Sequence, residues 1–117
     1  MTPTQLTLNL VEGSVSFSFS PTAARELQAA IAQLMDRLKA VAVKSTPIGK
    51  ATPQPPMEYR HMGEVFLEVF CNPNIWASPF AAKVLLTVKD SNIRLTSEAE
   101  LTRISEDLER YLAETEG

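Results

Sequence analysis

Two segments, Gly63 to Cys71 and Ala82 to Lys89, constrain the fold most, because each carries apolar side chains at alternate positions. In both segments the alternate residues are valine, leucine or cysteine, and this period of two predicts a β-strand with one buried face. The opposite positions are also partly apolar, since Phe66, Phe70 and Leu85 alternate there with charged residues. Antiparallel pairing of the two strands therefore predicts an apolar centre on the second face too. The charged rim of that centre comprises Glu64, Glu68, Lys83 and Lys89.

The second face of these strands has two interpretations. An apolar centre with a rim of mixed charges is typical of a surface that binds another protein. The same face could instead be covered by the chain itself, through a helix or through the linker described below. The sequence leaves both interpretations open.

The N-terminal third of the chain predicts a β-hairpin followed by a long helix. Leu6 to Leu10 and Val15 to Phe19 alternate apolar with polar residues, and Gly13 supplies a turn between them. Ser20 and Pro21 then form a helix start, because a serine hydroxyl accepts an unpaired backbone N–H and proline fits the first helical turn. Residues spaced three and four apart form the predicted buried stripe of this helix. They are Ala24, Leu27, Ile31, Leu34, Leu38 and Val41.

Residues 44–61 predict an extended linker. Apolar periodicity is absent there, and the segment holds four of the eight prolines: Pro47, Pro53, Pro55 and Pro56. Because proline cannot donate a backbone hydrogen bond, the segment is a poor candidate for a helix or a central strand. A connection of this length in a small domain is either functional or flexible, and we expect it to be mobile from Ser45 to Tyr59.

The C-terminal part predicts a turn, a short strand and a second helix. Ile93 to Leu95 would add a short strand after the turn at Asp90 to Asn92. Ser97 and Glu100 have capping-box spacing, which predicts that the helix begins there. From Glu98 onward the positions outside the apolar stripe hold seven acids against two arginines, which predicts a solvated acidic surface. The stripe itself comprises Leu101, Ile104, Leu108, Tyr111 and Leu112.

Together these elements predict a single α+β domain spanning residues 1–117. We expect an antiparallel sheet of four to five strands, in the order ββαββ(β)α, packed against two helices as a two-layer sandwich. A chain of 117 residues with 44% hydrophobic residues is large enough to bury one core of this kind.

Composition argues against several functional classes. The net charge of −3 disfavours a nucleic-acid-binding protein, since such domains hold phosphates with clustered basic residues. One cysteine cannot form an intrachain disulfide, and the N-terminus lacks the pattern of a secretory signal, so we expect a cytoplasmic protein. The apolar runs are too short to predict a membrane span.

No residue pattern indicates a catalytic, metal or cofactor site. His61, the only histidine, ends the predicted linker, and Cys71 lies on an apolar strand face where a thiol acts as a small hydrophobic group. One histidine and one cysteine do not form a closed metal site, and four scattered glycines do not form a phosphate loop. We therefore expect no catalytic residues, no metal and no cofactor.

The connection from Cys71 to Phe80 holds the only tryptophan of the chain between the two central strands. Its asparagine, serine and proline residues break strand pairing, whereas Ile75, Trp76 and Phe80 carry large apolar surfaces that a solvent loop does not require. We expect these three residues to bind a protein partner, because aromatic and apolar anchors dominate protein interfaces. The full predicted partner-binding set is Trp76, Ile75, Phe80, Phe66, Phe70 and Leu85.

The segments 66–80 and 89–101 resemble small soluble proteins of cyanobacteria, in particular the family of the V subunit of the photosynthetic NAD(P)H dehydrogenase (NDH-1) complex. No diagnostic motif is shared, so the resemblance assigns no functional residue. It implies a cofactor-free accessory subunit that supports ferredoxin-dependent electron transport, peripheral to a membrane complex at the thylakoid surface.

The sequence as a whole predicts a non-catalytic protein-interaction module or an accessory subunit of a larger complex. The alternative is a small-ligand-binding domain or an enzyme with a pocket between the sheet and the linker. A protein partner recovered in stoichiometric amount favours the first function, and a co-purifying apolar ligand favours the second.

Overall fold

The computed structural model describes residues 5–44 and 53–116, which form six strands and two α-helices. Strands β1 (Gln5–Asn9) and β2 (Ser14–Ser18) precede helix α1 (Pro21–Lys44). Strands β3 (Met57–Met62), β4 (Phe66–Cys71), β5 (Lys83–Lys89) and β6 (Arg94–Glu100) then lead into helix α2 (Leu101–Glu116). A short 3-10 helix, Pro73–Ile75, lies between β4 and β5. The predicted α+β class is confirmed.

Strands β3 to β6 form one antiparallel sheet in sequence order, and β1 pairs only with β2 in a second antiparallel sheet. One face of the larger sheet packs against both helices and the β1–β2 hairpin around a single apolar core. The inward residues of the sheet are therefore buried, whereas the opposite positions carry most of its charged side chains. The buried inward residues of β4 to β6 are Leu67, Val69, Cys71, Val84, Leu86, Val88 and Ala99.

Helix α1 begins where the sequence predicts. The hydroxyl of Ser20 accepts a hydrogen bond from the backbone N–H of Ala23 at 3.1 Å, and Pro21 occupies the first helical position. All six residues of the predicted stripe are buried. Near the other end of the helix, Arg37 donates to the carbonyl oxygens of Pro55 and Pro56 at 3.3 and 3.5 Å, which joins the segment before β3 to α1.

The β1–β2 hairpin turns at Gly13, whose φ of 87° is readily adopted by glycine. Leu6, Leu8 and Phe17 face the core, and the hairpin lies beside α2 instead of extending the larger sheet. A backbone bond of 3.0 Å from the N–H of Val11 to the carbonyl of Glu98 joins the hairpin turn to β6. The expected single sheet of four to five strands is therefore two sheets, of two and four strands.

The predicted linker at residues 44–61 is wrong at its C-terminal end, because residues 57–61 belong to β3. Alternate residues Met57 and Tyr59 face inward, and the Tyr59 hydroxyl donates to the carbonyl of Ala23 at 3.2 Å. Burial, with a smaller contribution from Glu26, raises the pKa of Tyr59 to about 12. Pairing with β4 holds this mostly polar segment in the sheet as an edge strand. Residues 45–52 of the predicted linker lie outside the described part of the chain.

The predicted capping box at Ser97 and Glu100 is also wrong. Both residues belong to β6, which runs to Glu100 and therefore extends well beyond the predicted strand at 93–95. Helix α2 follows at Leu101, whose backbone N–H donates to the carbonyl of Ala82 at 3.0 Å. Pairing with β5 along seven residues thus overrides a local helix-start pattern.

Asp107 of α2 is buried, although the sequence places it among the solvated acids. Its carboxylate accepts hydrogen bonds from the backbone N–H of Asn9 at 2.8 Å and from the Asn9 side-chain amide at 2.9 Å. Arg110, one helical turn away, approaches the same carboxylate at 3.3 Å. Asp107 therefore links α2 to β1 through a buried charge whose oxygens are hydrogen-bonded.

We expect Asp107→Ala to lower the free energy of unfolding by about 3 kcal/mol, because it removes a charged acceptor and leaves the donors of Asn9 unpaired. Glu109→Ala is the matched control, since Glu109 is exposed on the same helix and should change stability by less than about 0.5 kcal/mol. Chemical denaturation of both variants measures the difference. Equal stabilities would contradict a structural role for the Asp107–Asn9 contact.

Candidate protein-interaction surface

The face of the larger sheet that points away from the helices is called the outer face here. Strand pairing arranges its central side chains in three rows that cross β3 to β6. The first row holds Met62, Phe66, Lys89 and Arg94. The middle row holds Arg60, Glu68, Thr87 and Thr96. The third row holds Glu58, Phe70, Leu85 and Glu98.

The outer face exposes large apolar side chains. Leu85 is 43% exposed and Met62 is 80% exposed, while Phe66 and Phe70 are half-buried between their neighbours. Thr87, at the centre of the face, is buried. No helix among the described residues covers this face, because the core contacts of α1 and α2 are made with the opposite side. The sequence prediction that Phe66, Phe70 and Leu85 share one face opposite the helices agrees with this arrangement.

Charged residues on the outer face form few ion pairs. Arg60 Nε lies 2.7 Å from a carboxylate oxygen of Glu68, and its guanidinium lies 3.9 Å from Glu58. The hydrogen bond to Glu68 is the main cause that raises the pKa of Arg60. Lys89 Nζ lies 4.9 Å from the centre of the Phe66 ring, which is a cation–π distance.

One member of the predicted charged rim lies elsewhere. Glu64 is in the β3–β4 turn, where it is exposed beside His61 and Ser20 at the end of the sheet. The strand that includes it in the sequence prediction begins only at Phe66, so Glu64 does not alternate with the outer-face residues. Glu68, Lys83 and Lys89 belong to strands of the sheet and occupy outward positions.

The connection between β4 and β5 is held in place by paired asparagine contacts. The side chain of Asn72 accepts a hydrogen bond from the backbone N–H of Asn74 at 3.0 Å, which starts the 3-10 helix. The Asn74 side-chain amide bonds both the N–H and the carbonyl of Gln54, at 2.8 and 2.9 Å. The connection is therefore fixed to the segment that precedes β3, and its apolar side chains have defined positions.

Trp76 is half-buried and packs against the core instead of standing free in solvent. Its ring nitrogen is buried and makes no regular hydrogen bond with the described residues. The Trp76 N–H interacts with the thiol of Cys71. Burial raises the pKa of Cys71 to about 11, and the Trp76 N–H lowers it by a smaller amount. A thiol is a weak acceptor, so this contact satisfies the indole N–H only in part.

The structure brings four of the six predicted partner-binding residues together. Phe70, Leu85, Ile75 and Trp76 line a cleft of about 220 Å³ at the end of the sheet, next to Glu98. Ile75 and Phe80 are 67% and 83% exposed, so they fit the expected accessible apolar surface better than Trp76 does. Phe80 does not line this cleft, and Phe66 lies at the other end of β4.

The outward-facing residues of β3 and β6 are not part of the face predicted from the sequence. Glu58 and Arg60 lie on β3 but inside the predicted linker at 44–61, and Met62 follows directly after it. The alternation of Met57, Tyr59 and His61 with these outward residues is nevertheless visible in the sequence. Arg94 lies in the predicted short strand at 93–95, whereas Glu98 lies on β6 where the sequence predicts a helix that starts at Ser97. Both errors removed outward-facing residues from the predicted sheet.

A second groove of about 400 Å³ lies between β2 and the ends of β4 to β6. Its apolar lining residues come from both sheets and from the residues directly before β4 and β6: Val15, Phe17, Val65, Val88, Ile93 and Leu95. Within residues 5–44 and 53–116, no three His, Cys, Asp or Glu side chains are grouped as metal ligands would be. In the same residues, neither helix combines the length and the apolar character needed to cross a bilayer.

We expect Cys71 to react with N-ethylmaleimide at pH 8 about 100-fold more slowly in the folded protein than in the unfolded chain, because its raised pKa leaves little thiolate. Trp76→Ala should increase the folded-state rate at least about 10-fold by exposing the thiol, and should lower the free energy of unfolding by about 2–3 kcal/mol.

Phe80→Ala is the matched control, because it also removes a large aromatic residue from the same connection but one that is exposed. It should change neither the rate nor the stability measurably. An unchanged maleimide rate in Trp76→Ala would show that Trp76, which lines the same cleft as Cys71, does not shield the thiol.

Comparison with protein-family models, with curated protein sequences and with solved structures finds no match for this chain. Function is therefore inferred from the arrangement of the described side chains. The feature of that arrangement with the clearest chemical meaning is the outer face with its adjoining cleft.

Proposed function

We propose that this chain is a non-catalytic protein-interaction module whose partner binds the outer face. The observation that carries the proposal is the apolar row formed by half-buried Phe70 and exposed Leu85, with exposed Ile75 beside it, on the side of the sheet away from both helices. Apolar residues of this size on a sheet face require a reason, because they contribute nothing to the core on the other side.

The composition of the outer face supports this function. Half-buried phenylalanines lie between exposed charged residues, as in an interface that has an apolar centre and a polar rim. The adjoining cleft would accept one apolar side chain of the partner, since its walls include Phe70, Leu85 and Trp76. Aromatic residues that line such clefts commonly dominate the binding energy.

A narrower hypothesis places the module as an accessory subunit of the NDH-1 complex that supports photosynthetic, ferredoxin-dependent electron transport. It rests on the sequence resemblance alone. The outer face is compatible with it, because a subunit that joins a complex needs one surface of this kind.

The groove between β2 and the larger sheet favours a second candidate function, the binding of a small apolar ligand. Its volume of about 400 Å³ is within the range of ligand sites, and valine, isoleucine, leucine and phenylalanine side chains dominate its lining. The position differs from the sequence hypothesis, which placed the pocket between the sheet and the linker. Native mass spectrometry of the purified protein tests the ligand-binding function, because a bound ligand would add a defined mass. The variant Leu95→Trp fills the groove and should abolish that added mass.

The interaction function is tested by replacing Phe66 and Phe70 with serine and measuring recovery of partners in a native pull-down from the source cells. We expect the double variant to remain folded and to recover much less partner. The lost binding free energy should be at least about 2 kcal/mol, because both rings lie at the centre of the proposed interface. Since the rings are half-buried, we expect some loss of stability, of about 1–2 kcal/mol.

Val11→Ser with Ile93→Ser is the matched control, since these residues are 51% and 67% exposed and lie outside the outer face. It removes two apolar side chains and should keep the partner. Two results would contradict the proposal: equal recovery by both double variants, or loss of cooperative unfolding in the Phe66/Phe70 variant, which would make the outer face a core.

A further inference from the structure

The three rows of the outer face have opposite charges at their two ends. Lys89 and Arg94 give the first row a charge of +2, and Glu58 and Glu98 give the third row a charge of −2. The middle row has one cation and one acid, Arg60 and Glu68, so it is neutral. Each end row also holds two apolar residues. The two end rows therefore carry equal and opposite charge but the same number of apolar side chains.

The positive end of this face is unfavourable in the isolated chain. Lys89 and Arg94 are directly opposite each other on β5 and β6, and like charges in this position destabilise a strand pair. Neither makes an ion pair with the described residues, and Lys89 contacts the Phe66 ring instead. An external acidic surface would relieve the repulsion at this end.

We propose that the outer face binds a second copy of this chain through a two-fold axis that runs across the strands, along the middle row. This inference rests on the proposed function, since it names the protein partner of the same face. The axis exchanges the end rows, so the positive row of one copy lies over the negative row of the other. Charge complementarity thus arises from a single surface that pairs with itself.

The contacts of this arrangement follow from the register. Arg94 lies over the partner's Glu98, and Lys89 lies over the partner's Leu85. Phe66 lies over the partner's Phe70, which buries both rings. A two-fold axis parallel to the strands would instead place Glu58 over the partner's Glu98, acid against acid. The charges therefore select one of the two axes.

The size of the face predicts a reversible dimer. Four strands about 4.8 Å apart, with about 3.3 Å per residue along each, give a face roughly 15–19 Å wide and about 20 Å long. That is smaller than the roughly 800 Å² per partner of a standard stable interface, so dissociation should be measurable at ordinary protein concentrations. Because exposed charges contribute, high salt should weaken the dimer.

The test is sedimentation velocity with the charge-reversal variants Arg94→Glu and Glu98→Arg, from about 10 μM to about 1 mM protein. Each variant alone places like charges against each other twice in the dimer, and we expect dimerisation to weaken at least about 10-fold. An equimolar mixture of the two variants regains both opposite-charge contacts in a heterodimer. The mixture should therefore dimerise with a dissociation constant within about 3-fold of that of the original protein. The double variant, which carries both changes in one chain, should do the same.

Arg103→Glu and Glu109→Arg are the matched controls, because they make the same charge changes at exposed positions of α2. They should dimerise like the original chain, alone and mixed. Two results would contradict dimerisation through the outer face: the original chain stays monomeric at all concentrations, or the mixture of the two single variants dimerises as weakly as each variant alone. If the chain is monomeric while the Phe66/Phe70 variant still loses a different protein in the pull-down, the proposed function stands and only the self-association is wrong.

Discussion

The structure depends on the one-sided burial of the four-stranded sheet. Leu67, Val69, Val84 and Leu86 fill the core against α1, α2 and the hairpin, and this packing fixes which side chains point the other way. A strand has a period of two, so each buried position forces its neighbours onto the outer face. Phe70 and Leu85 are therefore outside because the register of the core puts them there.

This constraint explains why the outer face carries large apolar side chains. A solvated sheet face usually carries polar side chains, and here phenylalanine and leucine take positions that Lys, Glu or Thr would fill at no cost to the core. The end cleft adds Ile75 and Trp76 to the same apolar area. The contacts of Asn74 with Gln54 hold this area in place, so a partner would meet a preformed surface and lose less entropy on binding.

The sequence predicts the parts of the fold that follow from local periodicity. The stripe of α1, its start at Ser20, and the shared face of Phe66, Phe70 and Leu85 all have this origin. Other parts depend on distant contacts. The alternation of β3 is visible in the sequence, but the segment is mostly polar and pairing with β4 makes it a strand. Asp107 is buried because it bonds to Asn9, 98 positions away in the sequence. The half-burial of Trp76 is of the same kind, since it depends on packing against the core rather than on neighbours in sequence. Nothing local in the sequence encodes these contacts.

The proposed function requires an outer face that is open to solvent in the isolated chain. The most direct measurement is the relaxation of phenylalanine ring protons by a soluble gadolinium chelate, recorded by NMR at a dilution that keeps the protein monomeric. We expect strong relaxation of the Phe66 and Phe70 rings and weak relaxation of the Phe17 and Phe19 rings, which are buried in the core. Equal protection of all four rings would show that the chain covers its own outer face and leaves no open surface there for a partner.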